Sequence, residues 1–447
     1  MTGVTLRADM EVTMTTIESG ITQRENGTPP PEVPLSDIDL GSLEFWSWDD
    51  DRRDGAFVTL RREAPIAFFE APSLPGFESG PGHWALTSFD HVHHASRHPE
   101  VFSSIPTSVS LSEIDPAVAE FSGSMISLDD PRHLRLRSIV NRAFTPKMVA
   151  RIEESVRTRA QQLVSAMVAD HPDGKADFVE SLSGPLPLQI ICDMMGIPEA
   201  DEPKVFHWTS VILGAGDEEV ATGHDEIIQA VLDLAAYGVQ LAESRRAEPA
   251  DDLTSNLVRA EVDGERLSSA EIASFFILLS GAGNETTRNA ISHGMVALSR
   301  YPDARDRWWA DFDGVAATAV EEIVRWATPV IFMRRNLRED VELGGVTMKA
   351  GDKVSMWYNS ANRDETKFDN PWLFDVTRNP NPHFGYGGGG AHFCLGANLA
   401  RREIRVLFEE LRNRVPDIVA VEEPAILRSA FIHGIKRLPV GWTPAGH

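Results

Sequence analysis

Four groups of residues in this 447-residue sequence have types and spacings that could do chemistry. The most specific is His383-Phe384-Gly385-Tyr386-Gly387-Gly388-Gly389-Gly390-Ala391-His392-Phe393-Cys394-Leu395-Gly396, a glycine-rich loop that runs into a cysteine opening an amphipathic helix. Glycines let a backbone pass close to a flat ligand and adopt positive φ, while N–H groups at a helix N-terminus favour the ionised thiol, the form that ligates metals. The second group is Ala282-Gly283-Asn284-Glu285-Thr286-Thr287, an acid and an alcohol after small residues in mid-helix. The third is Glu322 and Arg325, an i, i+3 pair, with Arg378 downstream. The fourth is cationic: His133 and Arg137 are four apart and share a helical face, Arg335 lies six residues after Pro329, and His392 precedes the cysteine by two. Such groups suit buried anions.

Each group has a plainer reading. Gly385, Gly387 and Gly390 satisfy the dinucleotide pattern Gly-x-Gly-x-x-Gly, but that reading requires a preceding strand, and Asn379-Pro380-Asn381-Pro382 is incompatible with a central one. A phosphate loop fails because no Lys-Ser or Lys-Thr follows. Glu-x-x-Arg recurs at Glu154/Arg157, Glu243/Arg246, Glu285/Arg288 and Glu409/Arg412, where a solvated pair worth ~0.2–0.5 kcal/mol is the default. The second cysteine, Cys192, sits in an apolar run and reads as a small buried hydrophobe. Order along the chain is what separates chemistry from coincidence here.

In that order and spacing the segments resemble the cytochrome P450 family, from about Leu35 to the C-terminus. The family's loop ends in His or Arg, any residue, Cys, any residue, Gly; His392, Cys394 and Gly396 match it. The resemblance implies haem b (iron protoporphyrin IX) with Cys394 as metal ligand, and His133, Arg137, Arg335 and His392 as partners of its propionates. It makes Glu285 and Thr286 the catalytic acid–alcohol pair, with Ala282 and Gly283 leaving room beside them for the co-substrate O2. Glu322, Arg325 and Arg378 become a structural triad supporting the haem loop. One departure is Gly387, where the family usually carries Phe seven residues before the cysteine; Tyr386 and Phe384 are the nearby aromatics.

A thiolate pushes electron density onto iron and favours O–O cleavage, so the implied activity is monooxygenation of a C–H bond. No flavin or nicotinamide motif is visible, which implies that NAD(P)H acts only indirectly, through a ferredoxin reductase and a ferredoxin. Arg132, Arg135, Arg401, Arg402 and Arg405 are candidates for a basic docking patch. A peroxygenase, an oxidative coupling catalyst and a haem sensor or carrier are the alternatives, the last having no use for Glu285 and Thr286. More narrowly, Asn26 to Pro34, Ser274 to Leu279, Ala282 to Arg288, the four-glycine loop and Phe431 to Lys436 resemble the actinobacterial methyl-branched lipid ω-hydroxylases. Family segments that line the distal pocket are apolar here: Ile105, Val109 and Leu111; Phe206, Val211, Ile212 and Leu213; Phe275, Phe276 and Leu279; Val330, Ile331 and Phe332; Phe431 and Ile432. That surface suits a hydrophobic lipid.

The elements that must position these groups are mostly helical. Periodicity predicts helices over 49–62, 143–167, 187–195, 226–243, 269–299, 315–327 and 397–414. Short strands are expected at 66–69, 83–86, 341–346 and 353–358, with a strand-rich tail. The expected fold class is mainly α with minor β, the cytochrome P450 fold, with haem between the helix bearing Thr286 and the helix after the cysteine loop. Residues 1–34 are expected to form a mobile, proline-closed arm ahead of a single domain over 35–447. A net charge of −25 argues against nucleic acid as a partner. No signal peptide, membrane anchor or apolar span of the ~20 residues a bilayer needs is visible, and two cysteines suit a reducing cytoplasm.

Overall fold

The structure is a computed structural model that describes residues 19–23, 25–71, 80–113, 124–214, 217–220, 223–262 and 264–444. Its axis is the helix Ser269–Arg300, called the central helix below. Ser268 and Glu271 close a capping box at its start, each side chain bonding the other's backbone N–H. Most of its residues are buried, as in a helix surrounded by others. It packs against the helices His224–Ala247, Pro185–Met195, Glu202–Leu213 and Phe312–Ala327. The helix Ala397–Arg414, which follows the cysteine, lies against Phe312–Ala327 and the long helix Pro146–Asp170.

The β part is a mixed sheet in the spatial order Ile66–Phe69, His83–Leu86, Lys353–Trp357, Phe332–Leu337, Phe102–Ser103. Lys353–Trp357 runs parallel to His83–Leu86 and antiparallel to Phe332–Leu337, with Val354 opposite Arg335. A satellite core of Phe45, Trp46, Phe57, Leu111, Ile331, Phe332 and Trp357 joins this sheet to the N-terminal helix Asp50–Glu63.

The predicted helices are all present, displaced by a few residues at their ends. The expected strand 341–346 is instead a hairpin of Val341–Leu343 and Val346–Met348. Gly344 and Gly345, both at positive φ, form its turn. The helices Phe89–Arg97 and Pro302–Ala310 were not expected; at 9 residues each they are too short for a periodic signal to stand out. The described part of the arm is docked rather than free. Ile21 is buried, Gly20 N–H bonds the Ala420 carbonyl, and Asn26 exchanges hydrogen bonds with Phe374. Prolines kept it extended, and extended backbone pairs readily with whatever edge it meets. Residues 1–18 and 24 lie outside the described part.

Candidate functional site

The loop before Cys394 folds by close backbone approach. Gly387, Gly389 and Gly390 have positive φ, and a Cβ on Gly388 would stand 2.4 Å from Ser96 Oγ. Cys394 N–H donates to the Tyr386 carbonyl at 3.0 Å, which fixes the cysteine just ahead of the helix Ala397–Arg414. Its thiol is solvent-accessible although protein surrounds it, so it faces an internal cavity rather than the outer surface. Burial pushes the thiol up, opposed by the N–H groups of Gly396 and Ala397 and by the charges of Arg137 and Arg401. Tyr386 lies beside the sulfur, under the Arg401 guanidinium at 4.3 Å. Phe384 is instead stacked on Tyr358, with ring centroids 5.8 Å apart. Cys192 is fully buried and its thiol is pushed far up by burial, as an inert core residue should be.

The middle of the central helix carries its own break in burial. Ala282 is exposed in an otherwise buried stretch, with Gly281, Gly283 and Thr286 partly exposed beside it. Thr286 Oγ1 donates to the Ala282 carbonyl at 2.6 Å, the bond that loosens a helix turn. Glu285 does not reach toward Thr286 unpaired: it holds Arg288 at 2.8 Å.

Four cationic or titratable groups converge at the cavity's edge. The rings of His133 and His392 lie 4.3 Å apart. His133 Nδ1 meets Asp130 at 3.2 Å and His392 Nε2 meets Ser104 Oγ at 3.1 Å. Arg137 donates to the Phe393 carbonyl at 2.6 Å. Arg335, 5% exposed, donates to the Arg334 carbonyl and forms no ion pair among the described residues. Burial, then the charges of Arg335, His133 and Arg137, hold His392 down to about 3. A buried guanidinium without an ion pair among the described residues, beside a histidine kept neutral by burial and by neighbouring positive charge, suits an anion. This donor set fits the two propionates of a haem, and the accessible thiol fits its iron.

Glu322 and Arg325 form a bidentate pair at 2.7 Å, both completely buried. Arg378 joins Glu322 at 3.2 Å, and Asn381 Nδ2 and Asp375 N–H also donate to it. Arg325 and Arg378 donate onward to the carbonyls of Asn362, Pro371, Asp369, Asn370 and Leu373. The triad therefore clamps the segment 362–378 that leads into the cysteine loop.

The apolar candidates divide. Ile105 is 46% exposed, and Val109, Phe206, Ile212, Leu213, Leu279, Val330 and Phe431 are partly exposed. Leu213 would touch a Cβ on Gly281, which places it next to Ala282. Val330 bridges to Ile432, which brings the tail beside Val330. Leu111, Ile331 and Phe332 are instead buried in the satellite core around Trp357, and Val211, Phe275, Phe276 and Ile432 are also buried. The expected basic patch is largely neutralised. Arg135 meets Glu265 and Glu271, Arg401 meets Glu321, Arg402 approaches Glu153 and Arg405 meets Asp313. Five acidic neighbours from other segments bring these helix charges into pairs, which spacing within one helix does not reveal.

An accessible cysteine ahead of a helix, an opened turn on the central helix and a cluster of cationic groups beside the cysteine are the features expected of a haem-thiolate protein. The chain belongs to the cytochrome P450 family, whose profile matches residues 85–412, and it is a monooxygenase of that family. It is 68% identical over 427 residues to methyl-branched lipid omega-hydroxylases of Mycobacterium bovis and Mycobacterium tuberculosis, covering 96% of this chain and 100% of theirs. It is 41% identical over 403 residues to a steroid C26-monooxygenase of Mycobacterium bovis, covering 88% of this chain and 90% of that one. Among solved structures, a Mycobacterium marinum cytochrome P450 in complex with pseudoionone superposes with a TM-score of 0.86 at 40% identity, covering 92% of this chain and 99% of that one. No helix among the described residues is long and apolar enough to cross a membrane.

Proposed function

We propose that this protein hydroxylates the terminal carbon of long, methyl-branched, largely apolar lipids, using electrons from a ferredoxin and its reductase. The observation that carries the substrate class is the 68% identity to methyl-branched lipid omega-hydroxylases over their whole length. The partly exposed apolar side chains near Ala282 support it, since each methylene buried against them contributes ~0.8 kcal/mol. Terminal C–H bonds are the least reactive on an alkyl chain, so attack there demands a narrow pocket end that keeps weaker internal bonds away. A branching methyl limits the tip's rotation and reduces the ordering cost of binding. Bound haem b, ligated by Cys394, supplies the activation of O2. His133, Arg137, Arg335 and His392 hold and orient it by its propionates.

The expected result with a matched pair of fatty acids, one straight and one methyl-branched at the far end, is preferential turnover of the branched chain. A methyl in a shaped pocket is worth ~1–3 kcal/mol of discrimination, or roughly 10–200-fold in kcat/KM. Product analysis in a reconstituted ferredoxin system reads both rate and position. Equal turnover, or oxygen spread over internal carbons, removes the ω-hydroxylase reading; turnover with peroxide but not with reduced ferredoxin favours a peroxygenase.

Thr286 holds a proton at Oγ1 beside Ala282 and passes it toward the site of O2 activation, and Glu285 replenishes it when released from Arg288. Thr286→Ala is expected to leave haem content and substrate affinity nearly intact. Product formed per reductant consumed falls by at least about tenfold, a cautious share of the ~10²–10⁴ that a positioned proton donor contributes. An unchanged ratio takes Thr286 out of the mechanism.

A further inference from the structure

The central helix carries polar residues at four-residue spacing on a ridge facing away from Ala282 and Thr286: Ser280, Asn284, Arg288 and Ser292. Ser280 and Asn284 are fully buried. Ser280 Oγ, Asn284 Oδ1 and Nδ2, and Arg288 Nε are all buried without a hydrogen-bond partner. A fifth such atom, Ser210 Oγ, comes from the helix Glu202–Leu213. That helix packs on the central helix with Leu213 against Gly281 and Phe206 near the Arg288 guanidinium. Ser210, between those two contacts, therefore lies level with Asn284.

Burying an amide or hydroxyl without a hydrogen bond is costly, so five such atoms along one seam would be intolerable dry. Buried waters typically make about three hydrogen bonds to otherwise unsatisfied groups, and this seam offers donors and acceptors from two facing helices. Arg288 joins the seam to the chemistry: its Nε is itself one of the orphaned atoms, while Nη1 holds Glu285 at 2.8 Å and Nη2 the Ile435 carbonyl at 3.2 Å. Around the helix, Asn284 and Thr286 lie on opposite faces, with Glu285 between them.

We infer that Ser210, Ser280, Asn284 and Arg288 hold a file of ordered water that resupplies protons to Glu285 from behind the central helix, with Asn284 as its positioning residue. This rests on the reading of Glu285 and Thr286 as the proton-delivering pair. Each turnover takes two protons and two electrons from outside, leaving one oxygen atom in the product and one in water. The electrons come from the reductase chain. Each proton passes from a seam water to the Glu285 carboxylate and on to Thr286, and the water is reprotonated from solvent.

The test uses the haem-loaded protein. A crystal structure of wild type is expected to contain waters bonded to Asn284 and to at least one of Ser210 and Ser280, and Asn284→Leu is expected to lose them. In the variant, product per reductant falls at least about threefold, peroxide release rises, and the substrate dissociation constant stays unchanged. Should Asn284→Leu fail to take up haem, Ser210→Ala on the facing helix carries the same test. A wild-type seam without ordered water overturns the inference, as does wild-type coupling in the variant. If Thr286→Ala uncouples turnover and Asn284→Leu does not, only the seam falls; if Thr286→Ala has no effect, the proton-delivery reading fails first.

Discussion

Cys394→Ala is expected to abolish the strongly red-shifted Soret band expected of the reduced wild-type protein with carbon monoxide, and with it all monooxygenation. Cys394 is the one thiol that is accessible at the head of a helix, with the N–H groups of Gly396 and Ala397 directed at its sulfur. Cys192, fully buried in the helical core, has neither feature. The substitution removes little from the protein's own packing, because the thiol faces the cavity. The variant should therefore remain folded, by circular dichroism, while losing the spectral signature and most of its haem. Cys192→Ala should keep the band and lose only modest stability through a small cavity. A band that survives Cys394→Ala and disappears with Cys192→Ala would reverse the ligand assignment.

What could be read from the sequence follows from how local each signal is. Cys394 stood out because a thiol after four glycines combines a rare residue with a backbone requirement, and the structure places three of those glycines at positive φ. The central helix was legible because its apolar residues far exceed one face. The pairing of Glu285 with Arg288 was written in the spacing and was set aside among the other Glu-x-x-Arg repeats. The ridge Ser280, Asn284, Arg288, Ser292 was equally visible as a four-residue period, but only burial distinguishes an orphaned polar ridge from a solvated one. Long-range partners were beyond reach. That Ile331 and Phe332 would leave the expected pocket for Trp357, or that Arg401 would meet Glu321, depends on elements brought together by tertiary packing.

The second large effect is expected at Glu322. Its carboxylate neutralises Arg325 and Arg378 and accepts from Asp375 N–H and Asn381 Nδ2, and its own side chain and that of Arg325 are completely buried. Removing one member of a buried pair costs ~3–5 kcal/mol because the other charge is left behind; Glu322→Ala strands two guanidiniums and belongs at the upper end. Against a total stability of about 5–15 kcal/mol, this should lower the denaturation midpoint sharply and release the 362–378 segment that supports the cysteine loop, so haem retention falls with it. Arg378→Ala, slightly exposed and with Arg325 still in place, should cost less. Glu154→Ala, a Glu-x-x-Arg member on the surface, should stay within ~0.5 kcal/mol. Burial alone would raise the Glu322 carboxyl, but Arg325 and Arg378 outweigh it and hold it below the usual value of 4.5. Its folded pKa being depressed, its stabilisation is fully present above that value and is lost as pH falls through the folded pKa. The difference between wild type and Glu322→Gln, measured by denaturant titration, should therefore shrink on acidification. A Glu322→Ala protein as stable as Glu154→Ala, with full haem content, would reduce the triad to an ordinary surface pair.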